Sequence, residues 1–202
     1  MQIGDCYIGP LLGGRLRSIW RIASIDGGMC RADLYDFSEQ GIYRYRGEPF
    51  SVKRFALFVP VEAALFDRVE ALYEGALRRA EEVCSTTPKL RAEHIEFGTC
   101  LYTEEPDYKG VMKLIEQSGE NSLLGEYIHV SPKQFSRETI RPGIVSLSQY
   151  EDAEGKLSIE ASAYDKLLKV MNMTCASIQA LVNGALVAHR QKKDSAIENT
   201  EY

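Results

Sequence analysis

The chain has 202 residues, 45% hydrophobic and 26% charged, with a net charge of −5 and a pI of about 5.4. That length buries a core without staples, and the composition excludes global disorder. The acidic balance argues against sequence-independent binding to duplex nucleic acid, which depends on neutralising phosphates.

Charge is uneven along the chain. Residues 1–60 hold eight Arg/Lys against six Asp/Glu, and the remainder holds sixteen against twenty-three, so the N-terminal segment carries a mildly basic face. Cys6, Cys30, Cys84, Cys100 and Cys175 include no C-x-x-C pair, the usage of reduced, buried thiols in a cytoplasmic protein. No basic-then-apolar leader is visible. The stretch Met173 to Ala188 contains Gln179 and Asn183 and is shorter than the ~20 residues a spanning helix needs, so no membrane partner is expected.

In chain order, Ile3 to Ile8 reads as a first strand. Leu16 to Asp36 reads as a hairpin turned at Gly27-Gly28, where a two-residue turn requires positive φ at both central positions. Ile42 to Arg46 and Phe50 to Val59 follow as strands. That strand density is expected of a small SH3-like or OB-like β-barrel, or of a curled sheet. Pro60 closes it, so the pattern predicts a domain over 1–60 and an α+β domain with two long packed helices over 61–202.

Glu62 to Cys84 predicts a helix, with Leu65, Phe66, Val69, Leu72, Tyr73, Ala76, Leu77, Ala80 and Val83 on one face at helical spacing. Ser85 to Pro88 breaks it. Ile95 to Tyr102 reads as a strand. Pro106 opens a predicted helix to about Ser118, with Val111, Met112, Leu114 and Ile115 as its apolar side. Tyr127 to Val130 predicts a strand, and Ile144 to Tyr150 with Leu157 to Ala161 a second hairpin. Ser162 and Asp165 resemble a capping box at the start of the longest helix, to about Lys193. No internal repeat emerges from this reading.

Tyr43-Arg44-Tyr45-Arg46 is the most suggestive binding element. On a strand its tyrosines take one face and its arginines the other. With Arg21 and Arg31 it forms a candidate surface for an acidic peptide or for the stacked bases of a single strand. On the long helix Tyr164, Leu168, Met171, Cys175, Ile178, Val182, Ala185 and His189 recur every 3.5 residues, beside a row of Ala176, Ala180, Gly184 and Ala188. This stripe either packs on the first helix or forms a homodimer seam through Leu168, Met171, Ile178, Val182 and Gly184.

Chemistry is sparse. His94, His129 and His189 have no metal-ligand spacing, and no phosphate-binding glycine loop is present, so neither metal nor cofactor is expected. His94 and Glu96 near Cys100 offer one alternative, a thiol enzyme in which Cys100 works with His94 or His129. A second alternative is sequestration of a small anionic ligand. The leading expectation is a non-enzymatic interaction or regulatory protein holding a protein or single-stranded nucleic-acid partner.

Overall fold

The structure, a computed structural model, describes residues 1–10, 17–91, 98–117, 123–140 and 157–198. It is α+β: antiparallel sheet with two long helices, α1 (Ala63–Thr86) and α2 (Ala161–Glu198). Two compact units emerge, one of Met1–Glu74 with Thr174–Tyr202, the other of Gly75–Met173. Both divisions fall inside a helix, a different partition from a boundary after residue 60.

In the first unit β1 (Cys6–Pro10), β2 (Arg17–Asp26), β3 (Met29–Ser38) and β4 (Gly41–Ser51) form a meander, and β5 (Val59–Val61) returns to pair with β1. The order β5-β1-β2-β3-β4 leaves β4 and β5 at opposite ends. Among the described residues the sheet is therefore open and no barrel closes. The expected strand Phe50 to Val59 is interrupted by a 3-10 helix, Val52–Leu57. Its Phe55 joins Phe58 in capping one sheet face, over Trp20, Ile22, Cys30, Ala32 and Leu34. The opposite face packs Tyr35 against Phe66 and Tyr73 of α1, each ring pair at 5.4 Å. At the Gly27-Gly28 turn only Gly27 adopts positive φ, at 57°, so the second glycine answers no conformational demand.

The second unit contains β6 (Lys89–Arg91), β7 (Cys100–Glu105), β8 (Tyr108–Gln117), β9 (Leu123–Val130), β10 (Gln134–Ile140) and β11 (Leu157–Ile159), ordered β6-β11-β7-β8-β9-β10. The helix expected from Pro106 is the hairpin of β7 and β8. Strand β8 is buried on both faces, at Val111 and at Met112 and Leu114. A bulge at Ile115 then shifts its register, and together these erase the two-residue period that marks a strand. The arm Ile144 to Tyr150 lies outside the described residues. Helix α2 starts at Ala161, so Ser162 lies inside its first turn, and its hydroxyl donates to Glu160 (3.1 Å) instead of capping.

Removing β6, the chain repeats one topology in sequence: a four-strand meander, a fifth strand back beside the first, then a long helix. Details repeat too. Gly4 and Gly98 have φ of 91° and 85°, and each N–H donates across the sheet, to Ile22 (2.8 Å) and Leu114 (2.9 Å). Two residues on, the Cys6 and Cys100 thiols donate to those glycines' carbonyls. One bulge falls between Ile22 and Ser24 of β2, its counterpart between Leu114 and Glu116 of β8. Arg21 pairs with Asp67 and lies over Phe66; Lys113 pairs with Asp165 (3.5 Å) and lies over Tyr164.

The repeat is legible in the chain once aligned. Val61-Glu62-Ala63-Ala64-Leu65-Phe66-Asp67-Arg68-Val69 matches Ile159-Glu160-Ala161-Ser162-Ala163-Tyr164-Asp165-Lys166-Leu167 by identity or by class at all but one position. The absence of a repeat expected from the sequence is thereby corrected.

Candidate functional site

Strand β4 alternates as the sequence implies, but its arginines are already engaged. Arg44 pairs with Glu74 (2.6 Å) and Glu70 (3.7 Å), and Arg46 with Asp33 (2.9 Å) and Glu70, on the α1 face of the sheet. Tyr35 also donates to Glu70, at 3.1 Å. Burial would raise the Glu70 carboxyl, but the hydrogen bond and charge of Arg46 outweigh it and hold Glu70 below its ordinary value. Arg21 is likewise paired with Asp67. Arg31 donates to the Gly47 carbonyl (2.9 Å) and remains exposed. The six expected binding residues thus do not form one surface.

Tyr43 and Tyr45 stand on the other face, beside a residue the sequence did not single out. Asp36 lies across from Ser18 on β2 and Tyr43 on β4, is 3% exposed, and its Oδ1 has no hydrogen-bond partner among the described residues. Burial pushes its carboxyl up to about 6, against the hydrogen bond from the Phe37 N–H. In the sequence Asp36 reads as one more acid in a mixed segment, and no local pattern marks it.

The thiol–histidine alternative is not assembled among the described residues. Cys100 lies opposite Lys113, whereas His129 lies opposite Gly110, an odd number of residues away along β8 and hence on the other face. His94 and Glu96 lie outside the described residues. Cys100 is buried, and burial pushes its thiol up to about 11, the reverse of an activated nucleophile. We expect native Cys100 to resist a thiol reagent at neutral pH and to react only on unfolding. Native-rate labelling mapped to Cys100 by peptide mass would restore the enzyme reading.

His129 stacks on Tyr108 at 4.8 Å, in a cavity of about 860 Å³ between two hairpin tips. Burial lowers the His129 pKa. Its walls bring Glu104, Glu105 and Asp107 together with Lys109 and Lys133. No group of three His, Cys, Asp or Glu side chains among the described residues is placed to hold a metal.

The long helix divides its expected stripe. Met171, Thr174, Ile178 and Val182 are buried within the chain. Met171, Ile178 and Val182 are therefore core residues and are not available to a seam, whereas Leu168 is half-buried and Gly184 exposed. Opposite them on the helix, Met173, Ala176, Ala180, Gly184, Val187 and Ala188 are all exposed. From Val170 to His189 the chain has no Asp, Glu, Lys or Arg. Only 28% of the helix's most apolar 18-residue window is buried. In the first unit this face borders a groove of about 620 Å³, walled by Leu65 and Arg68 of α1 and by Ala180, Gly184 and Ala188 of α2.

These features define a repeated α+β protein with an uncharged, exposed helix face. No family model, curated protein or solved structure matches the chain.

Proposed function

We propose that this chain is a non-enzymatic interaction protein whose docking surface is the exposed face of α2. One observation supports the reading above others: a solvated helix face carries charge, as α1 does at Asp67, Arg68, Arg78, Arg79, Glu81 and Glu82, and α2 carries none from Val170 to His189. An apolar face of this extent left in water favours association. The β4 surface is a weaker candidate, because a phosphate or acidic side chain would have to displace the carboxylates that Arg21, Arg44 and Arg46 already hold.

A benzophenone amino acid in place of Val187, which is 52% exposed, tests this in the producing cell. We expect protein adducts on illumination that disappear when Gly184→Arg is added, and none from the same group at Glu82 on α1. No adduct at Val187 would sink the interaction reading.

A further inference from the structure

We infer that the cavity between the β7–β8 and β9–β10 tips is a binding site for a small organic cation, an alkylammonium group held against Tyr108 and His129. It involves no residue of the α2 face. The repeat singles this place out. Ile22 of β2 and Leu114 of β8 hold equivalent positions, since the carbonyl of each accepts from a glycine of positive φ. Four residues earlier stand Ser18 and Gly110, and across from these stand Asp36 and His129. Asp36 and His129 therefore occupy the same position of the two repeats. In the first repeat that neighbourhood is filled: Trp20 meets Phe58 at 5.4 Å, and Ser18 and Asp36 are buried. In the second, Met112 stands for Trp20 and Gly110 for Ser18, and the place borders a cavity of about 860 Å³, within the range of small-molecule sites.

Gly110 shapes the wall. A Cβ there would overlap the Tyr127 hydroxyl, so the glycine lets that ring lie across β8 and meet His129 edge-on at 6.2 Å. Tyr108 stacks on the same imidazole at 4.8 Å. Two half-buried rings thus line the cavity, and a third fixes them. Charge then sets the sign of the ligand. Lys109 is matched by Glu104 at 3.6 Å. Among the other described lining residues Glu81, Glu105 and Asp107 outnumber Lys133. His129 adds no positive charge at pH 7, because burial holds it below its ordinary 6.5. A net negative wall draws a cation, and aromatic faces attract it further. No three His, Cys, Asp or Glu side chains among the described residues converge as a metal ion requires. Tyr108, Val130 and Pro132 instead offer apolar surface, which suits a charge carried among alkyl substituents.

The chain has three histidines, so the ring C–H resonances of His129, assigned with His129→Gln, can be followed while choline is added to the full-length protein. His129 should shift and saturate in the millimolar range, and His189 should not move. The neutral analogue 3,3-dimethylbutanol, which has the shape of choline without its charge, should bind at least about tenfold more weakly, as should choline itself to Tyr108→Leu. Tyr108→Phe keeps the ring and should keep the affinity. Glu105→Gln with Asp107→Asn changes only exposed turn residues. That double variant should keep its circular dichroism spectrum and weaken choline by about tenfold. A trimethyllysine tripeptide distinguishes the source of the cation: tighter binding than choline assigns it to a protein side chain, weaker binding to a free small molecule. No shift of His129 overturns the inference, as does equal binding of the neutral analogue or a shift that survives both Tyr108→Leu and the double variant. A shift with inorganic phosphate and none with choline overturns it in favour of an anion held by Lys109 and Lys133.

Discussion

Replacing Trp20 by alanine should lower stability by about 3–5 kcal/mol, the range for removing a large buried aromatic side chain, out of the roughly 5–15 kcal/mol typical of a native protein. The indole is 1% exposed. Its ring meets Phe50 at 4.6 Å edge-on, Phe58 at 5.4 Å and Phe55 at 5.6 Å, and the Arg54 guanidinium lies 5.3 Å from it. Its Nε1–H donates to Ser18 Oγ (2.6 Å), which in turn donates to the Gly9 carbonyl (3.1 Å). Alanine would leave a cavity that the sheet cannot close, because the strands on either side are fixed by their hydrogen bonds. Urea unfolding followed by far-ultraviolet circular dichroism measures the loss; fluorescence would not serve, since Trp20 is the sole tryptophan. A cost below about 1 kcal/mol, less than that of a typical point mutation, would mean that the face under the 3-10 helix is not packed as described.

The same cluster explains Gly9. A Cβ there would fall 2.3 Å from the Phe58 ring, so Gly9→Ala should cost about 1–3 kcal/mol by overpacking. Most of that cost should vanish when Phe58 is also alanine, because the two positions share one contact.

The two helices were legible because each keeps one apolar face over many turns, and periodicity over that length survives local exceptions. The β2–β3 hairpin was legible from its glycines and β-rich arms. Strand β8 was not, since burial on both faces and the extra residue Ile115 together imitate helical spacing. Strand β10 is illegible for a different reason. In Gln134-Phe135-Ser136-Arg137-Glu138-Thr139-Ile140 only Phe135 and Ile140 are apolar, and Arg137 faces inward because Glu126 stands 3.9 Å away to receive it. No window along one strand can reveal a partner on another. The candidate surface failed in the same way. Alternation correctly placed Arg44 and Arg46 together, but the carboxylates that neutralise them, Glu70 and Glu74, lie on α1. The repeat is faint in the sequence because its two copies share residue classes more than identities, and the shared positions are those that pack: a glycine of positive φ, a buried thiol, and a cation over an aromatic ring.

Asp36→Asn should make the protein more stable at pH 7, unlike most substitutions of a buried residue. The folded carboxyl has a pKa of about 6 against an ordinary 3.8, and at 1.36 kcal/mol per pK unit that difference makes the buried charge cost about 3 kcal/mol at neutral pH. The amide removes the charge but leaves one polar group unsatisfied where Oδ1 now lacks a partner, at about 1–3 kcal/mol, so a net gain of about 1 kcal/mol is expected. The sign with pH follows from the raised value. Asp36 favours the folded state fully below pH 3.8, and that contribution is lost as pH rises through 6. His129 acts in the opposite sense: burial lowers its pKa, so protonation below its unfolded value of 6.5 favours unfolding. The wild-type stability curve sums the two, and only the difference between variant and wild type isolates Asp36. That difference should favour the variant at pH 7.5 and reverse in favour of wild type near pH 4, where the protonated carboxyl no longer bears a charge. A difference that stays flat between those limits would show that Asp36 has a partner in solution and titrates near its ordinary value.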